Sequence, residues 1–256
     1  MGTGAVKEAP DFKDHFSKVA VAYAAHRPSY PTELVDFLAR LAPARHLAWD
    51  AGCGSGQLAV LLAEVFDRVI ATDASAAQVA QATPHARVEY HRAPAEASGL
   101  PANVADLVTA AQAAHWFDLA AFYAEVRRVT HPGAIVALIS YGVLAAGADL
   151  DAVIRPFYRD VLDPYWPPER WHVDDGYRSL PFPFAELDAP AFEIRRDWAL
   201  ADLVGYVGTW SAVWALERAV GPGAFVTFRG QLATAWGPAE TVRTVRWPLA
   251  LRVARV

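Results

Sequence analysis

Leu47–Ala63, LAWDAGCGSGQLAVLLA, is the stretch from which the rest of the chain takes its order. A short apolar run leads into a turn carrying Gly52, Gly54 and Gly56, and apolar residues return from Leu58 onward. That is a strand, a loop and a helix. Glycines at such a turn leave no side chain between backbone and ligand, and they accept the positive φ that a sharp strand-to-helix reversal demands. The N–H groups opening the next helix, near Gly56, are expected to face the same crevice.

Working outward, strand and helix alternate. Arg68–Asp73 (RVIATD) reads as a buried strand, Ser75 as the N-cap of a helix through Gln81, and Arg87–Tyr90 as the start of a third strand. Ala105–Gln112 is a fourth strand, Phe117–Val129 a helix and Gly133–Tyr141 a fifth strand. Repeated βα units predict an α/β, doubly wound, mostly parallel sheet, which binds ligands beyond the carboxyl ends of its strands. The candidate cofactor residues there are Asp50, Ala51, Gly52, Cys53, Gly54, Gly56 and Gln57, then Asp73, Ala74, Ala95, Glu96, Ala111 and Gln112. Upstream, Phe16, Val19, Ala20 and Tyr23 recur at helical spacing before Pro28 and Pro31, and Pro31–Leu41 is an amphipathic helix.

Two kinds of cofactor use such a loop. Gly54–Ala59 satisfies the dinucleotide pattern G-x-G-x-x-G/A, and Asp73 follows at a distance suited to a ribose hydroxyl. The phase favours the other kind: the glycines fall as G-x-G-x-G directly after the strand, with Asp50 two places before the first. Asp-Ala-Gly-Cys-Gly-Ser-Gly (50–56) is similar to the first motif of class I S-adenosylmethionine (SAM) dependent methyltransferases. A sulfonium cofactor has no pyrophosphate, so it has less use for a phosphate cradle. A nicotinamide oxidoreductase stays open as the competing enzyme, and a non-catalytic SAM-binding protein as a different class.

Further motifs narrow the resemblance. Phe16-x-x-x-Ala20-x-x-Tyr23, Arg27-Pro-Ser-Tyr-Pro31, His115-Trp116-Phe117 and Thr209-Trp-Ser-Ala212 resemble the trans-aconitate methyltransferase-like subgroup (methyltransferase type 11). The resemblance implies a seven-stranded sheet with its last strand antiparallel, SAM as cofactor and S-adenosylhomocysteine as product. It implies an N-terminal lid over the cofactor, with Tyr23 and Arg27 near the methionine end. Asp73 would take the ribose hydroxyls, Gln112 would face the methionine end, and His115 and Trp116 would lie beside the transferred methyl. Many relatives carry an Asp after the third strand for the adenine amino group. Pro94 stands there instead, leaving the backbone of Ala95 and Glu96.

The chain reads as a single methyltransferase-like domain: N-terminal helices and lid over 1–45, cofactor core over 46–142, a cap insertion over 143–190, and C-terminal strands and helices over 191–256. The insertion is rich in proline and aromatics, with too many hydrophobes for a disordered linker. It is expected to roof an acceptor pocket. Leu203, Val207, Trp210 and Trp214 form one helical stripe in the block from Leu200 to Trp236. Thr241–Val256 alternates as a strand, with Phe192–Trp198 as partner. Tyr141, Trp166, Trp171, Trp210 and Trp214 are candidates for the acceptor. So are Arg155 and Arg159, with Arg170 and Arg178 also available, because a guanidinium fork can fix a carboxylate. A phenol or amine acceptor would instead need a base, for which His115, the candidate catalytic residue, or His172 has a suitable unperturbed pKa.

Composition limits the alternatives. The 256 residues are 54% hydrophobic and 20% charged, as in a globular chain, and the net charge of −5 with scattered basic residues offers no footprint for nucleic acid. Cys53 is the sole cysteine, so no internal disulfide forms, which suits a reducing cytoplasm. The N-terminus lacks the apolar region of a signal peptide, and the longest apolar run, Gly133–Ala148, falls short of the ~18 residues a span needs. No Cys/His cluster or HExxH motif suggests a metal, and no G-x-S-x-G elbow suggests a hydrolase. A small-molecule acceptor is the expected partner; the oligomeric state is open.

Overall fold

The computed structural model describes residues 29–256. Helix α1 (Thr32–Leu41) buries Leu34, Val35, Leu38 and Ala39 and leads into strand β1 (Leu47–Ala51), every residue of which is buried. There follow α2 (Gln57–Leu62), β2 (Arg68–Asp73), α3 (Ala76–Ala80), β3 (Val88–Arg92) and β4 (Ala105–Ala111). A short 3₁₀ turn, Ala114–Trp116, precedes α4 (Leu119–Val129) and β5 (Thr130–Ser140). Ser75 caps α3 by accepting the Gln78 N–H, and Asp118 caps α4 through the N–H groups of Ala120 and Ala121.

The main sheet has the order β3-β2-β1-β4-β5-β8, all parallel except β8 (Ala250–Arg255), which runs antiparallel to β5. Both faces are covered, so the central strands are buried and largely apolar, with Asp50, Asp106 and Thr109 among the buried polar exceptions. The order reverses between β1 and β4. The crevice beyond their carboxyl ends is thus the expected ligand position.

The expected seven-stranded sheet is six strands plus a separate ribbon. The run Thr241–Val256 divides into β7 (Arg243–Pro248) and β8, and β7 pairs with β6 (Glu193–Trp198) rather than with the main sheet. Pro248 has no N–H for a ladder, so the chain changes partner there. The ribbon is held on its other edge by the Ala145–Arg246 bridge.

The cap begins after β5 and includes α5 (Ala148–Pro156), a wide turn Phe157–Val161, and α6 (Arg170–Asp174). Its first half, with Leu150, Ile154, Phe157 and Tyr158, joins the core on one face of the sheet. Val173, Tyr177 and Leu180 join the core on the other. The cap therefore straddles the sheet's carboxyl edge. The block from Leu200 to Trp236 is three helices, α7 (Leu200–Gly208), α8 (Ser211–Val220) and α9 (Gly223–Trp236), broken at Thr209–Trp210 and Gly221–Pro222. Consequently Leu203, Val207, Trp210 and Trp214 do not form one stripe; Trp210 precedes α8, and Trp214 is 38% exposed.

Candidate cofactor and acceptor site

The glycine loop is tied to the end of β2 through the backbone. The N–H groups of Gly52 and Cys53 both donate to the Thr72 carbonyl, and the Gly54 N–H donates to Asp73 Oδ2 at 2.9 Å. Asp73 Oδ1 accepts the Ser75 N–H at 2.8 Å. Gly52, Gly54 and Gly56 all adopt positive φ. At two of them close approach adds to the need for glycine: a Cβ on Gly52 would overlap Ala113, and one on Gly56 would overlap the Tyr90 hydroxyl. The residues fit a ribose-bearing cofactor. An ionised carboxylate offers about four acceptor positions, and the backbone takes two of those on Asp73, so a pair of ribose hydroxyls can still be held.

Asp50 lies one layer deeper. It is buried and accepts the Thr109 hydroxyl at 2.8 Å, which links β1 to β4. Burial raises its pKa to about 7; the Thr109 bond opposes the shift and the nearby Asp73 charge adds to it. A cation nearby would favour the ionised form, so this position suits a cofactor with a positive amino-acid end. Cys53 is buried, and desolvation pushes its thiol well up, so it is a packing residue.

The other sequence candidates fall in two groups. Ala51, Gln57, Ala74, Ala111 and Gln112 lie at or just beyond the ends of β1, β2 and β4. Gln112 has φ +55°, and its Nε2 donates to the Tyr141 carbonyl at 2.7 Å, joining the ends of β4 and β5. Ala95 is buried beyond β3, while Glu96 Oε1 is occupied by the Asp118 N–H at 2.8 Å. Tyr23 and Arg27 lie outside the described residues.

His115 is largely buried, with Trp116 against it at 4.7 Å. Its Nδ1 lies 2.8 Å from the Tyr177 hydroxyl. Desolvation, with the nearby Arg170 charge, drops its pKa to about 3. This corrects the expectation of a histidine titrating near neutrality: His115 stays uncharged and is a very weak base. Tyr177 was not among the candidates. It is fully buried at φ +62° and follows Asp175-Gly176, a dipeptide that marks a turn but not which ring will close on a histidine.

The cap arginines separate sharply. Arg155 is exposed and paired with Asp151, Arg159 is exposed, and Arg178 is exposed and paired with Asp175. Arg170 alone of the four turns inward, its side chain 25% exposed. Its Nε donates to the Tyr158 hydroxyl at 2.8 Å, that hydroxyl donates to Asp174 Oδ1 at 2.7 Å, and its guanidinium lies 4.9 Å from the Trp166 ring centre. Tyr158, Trp166 and Trp210 are in mutual ring contact, so Trp166 and Trp210 belong to this cluster. Trp171 and Trp214 lie outside it. Trp171 is 56% exposed and stacks on His172, and Trp214 donates to the Gly208 carbonyl. Asp174 also lies beside Gly142, just after Tyr141, so the cap cluster abuts the residues that Gln112 bridges.

Comparison with known proteins agrees with this geometry. The methyltransferase domain family matches residues 49–138. A protein of Dictyostelium discoideum, described provisionally as a methyltransferase, is 34% identical over 212 residues, 81% of each chain. An uncharacterised methyltransferase of Mycobacterium tuberculosis is 37% identical over 131 residues, about half of each chain. Among solved structures, a provisionally described type II methyltransferase from Anaeromyxobacter dehalogenans superposes with a TM-score of 0.86 at 49% identity, covering 90% of this chain and 97% of that one. The chain belongs to the class I SAM-dependent methyltransferase family, and it is a transferase. Among the described residues no helix is long and apolar enough to cross a membrane.

Proposed function

We propose that the chain binds SAM itself and moves its methyl group to a carboxylate oxygen of a small molecule held beneath the cap, as in the trans-aconitate methyltransferase-like subgroup it resembles. The observation that carries the cofactor half is Asp73, a carboxylate locked by Gly54 and Ser75 with acceptor positions to spare. SAM supplies a methyl already activated on sulfur. The protein's share is alignment and the exclusion of water. A carboxylate ionises near pH 4 and needs no base, which agrees with a His115 too weakly basic to serve as one. Tyr23 and Arg27 would close over the methionine end. The net charge of −5 supports a small acceptor over nucleic acid, and a lone cysteine supports a cytoplasmic setting.

Incubation with SAM and a panel of carboxylic acids, phenols and amines tests this reading. The expected result is acid-dependent S-adenosylhomocysteine release with an alkali-labile methyl ester as product. Turnover confined to phenols or amines would discard the carboxylate version. Asp73→Ala should weaken SAM binding by roughly 1.5–3 kcal/mol, the range for hydrogen bonds to an ionised group, measured by titration calorimetry.

A further inference from the structure

Two arginines that contact the cap, Arg170 within it and Arg252 on β8, differ in how completely they are used. Arg252 spends its guanidinium on protein: Nε and Nη2 on Glu186, and Nη1 on the carbonyls of Tyr177 and Leu180. It is a structural pin for the turn that carries Tyr177. Among the described residues Arg170 hydrogen-bonds only through Nε, to Tyr158, with Asp174 3.5 Å away. Its two terminal nitrogens make no hydrogen bond to a described residue, although the side chain is three-quarters covered, held over Trp166 and Tyr158, and within electrostatic reach of Tyr206. Ordering a long side chain costs conformational entropy that its contacts must offset. Such an arginine, fixed by one edge with the fork left over, is arranged for an external planar anion.

The histidine beside it points the same way. The Tyr177 hydroxyl lies 2.8 Å from His115 Nδ1, with the backbone of His115 and Ala114 close by. With the phenol donating to Nδ1, the imidazole carries its proton on Nε2 and presents a donor there, not a base. Arg170's positive charge reaches both His115 and Tyr177, and α6 packs against the Ala114–Trp116 turn, so the two donors belong to one locality.

We propose that Arg170 and His115 form the anion-recognising end of the acceptor site, Arg170 through its two terminal nitrogens and His115 through an Nε2–H fixed by Tyr177. The assignment rests on the carboxylate reading above and adds which residues select the acceptor. Arg170 sets specificity by contact. Tyr177 is a positioning residue that acts through the histidine.

The test uses the full chain, with and without S-adenosylhomocysteine, and calorimetric titration of succinate, benzoate and trans-aconitate beside their neutral amides. At least one acid should bind and its amide should bind about tenfold more weakly or not at all. Arg170→Gln should lose roughly 10- to 100-fold in acid affinity, the fold-change for a hydrogen-bonded charge pair, and Arg170→Lys should lose less, with S-adenosylhomocysteine affinity unchanged in both. His115→Gln, whose amide can present an N–H near the Nε2 position, should bind the acid within about threefold of the parent, whereas His115→Asn and Tyr177→Phe should fall further. The retained S-adenosylhomocysteine affinity certifies that each variant is folded. Equal binding of acids and amides, no binding of any acid, or an unaffected Arg170→Gln would overturn the site. Indistinguishable His115→Gln and His115→Asn would overturn the histidine's part. Acid binding without S-adenosylhomocysteine binding would instead refute the proposed function and leave this site standing.

Discussion

The glycine-loop half and the cap are held together by different means. Around β1, β2 and β4 the work is done by backbone: glycines at positive φ, amide-to-carboxylate bonds at Asp73, and a buried Asp50–Thr109 link between strands. In the cap it is done by side chains, through the Arg170–Tyr158–Asp174 chain and the rings packed on it. Backbone sites tolerate almost no substitution. Side-chain sites can be retuned one residue at a time, which suits a family that keeps one cofactor and varies its acceptor.

Three substitutions sharpen that contrast. Gly56→Ala imposes both a left-handed alanine and an overlap with Tyr90, and should destabilise by roughly 2–5 kcal/mol. Thermal unfolding would report it, and a midpoint equal to the parent's would show that the loop yields where it should be rigid.

Asp50→Asn comes next. The folded pKa of Asp50 is raised to about 7 from an ordinary 3.8, so its contribution to stability is present below pH ~4 and is lost as pH rises through ~7. Asn carries no charge to desolvate and can still accept from Thr109. The variant should therefore be more stable than the parent at pH 8, by a magnitude on the order of 2 kcal/mol, and lose that advantage at pH 4, while binding SAM more weakly. Parallel stability curves across pH 4–8 would place the ionisation elsewhere. His115 contributes an opposite arm, because its depressed pKa makes stability fall as pH drops from ~6.5 towards ~3.

Tyr158→Phe is the smallest. It removes the hydroxyl between Arg170 and Asp174, at a cost of about 1–2 kcal/mol in stability. Acceptor kcat/KM should fall while S-adenosylhomocysteine affinity holds. A matching loss of cofactor affinity would erase the division between the halves.

The sequence exposed the backbone half because its requirements are local. Three glycines and two aspartates at fixed spacing are visible without a structure, and the apolar runs of β1, β2, β4 and β5 mark strands buried on both faces. The cap's logic is tertiary. Four arginines in one proline-rich stretch look alike in a string, and only packing shows that Arg155, Arg159 and Arg178 face solvent while Arg170 does not. Tyr177 escaped notice because a buried tyrosine at positive φ has no sequence signature beyond the glycine before it. The break at Pro248 escaped because alternation continues through it, although the proline was in plain sight. The His-Trp-Phe motif draws attention to His115, but an ordinary histidine titration range carries no hint of the packing around it.

The straddling of the sheet edge bears on how such an enzyme can be re-engineered. Tyr158 is part of the hydrophobic core on one side of the strands and Tyr177 of the core on the other. The cap is therefore a clamp closing over two separate interiors, not a detachable module. Grafting a foreign roof would open both interiors at once, so a productive route to a new acceptor keeps the frame from Leu150 to Leu180 and redraws only the few side chains that face inward.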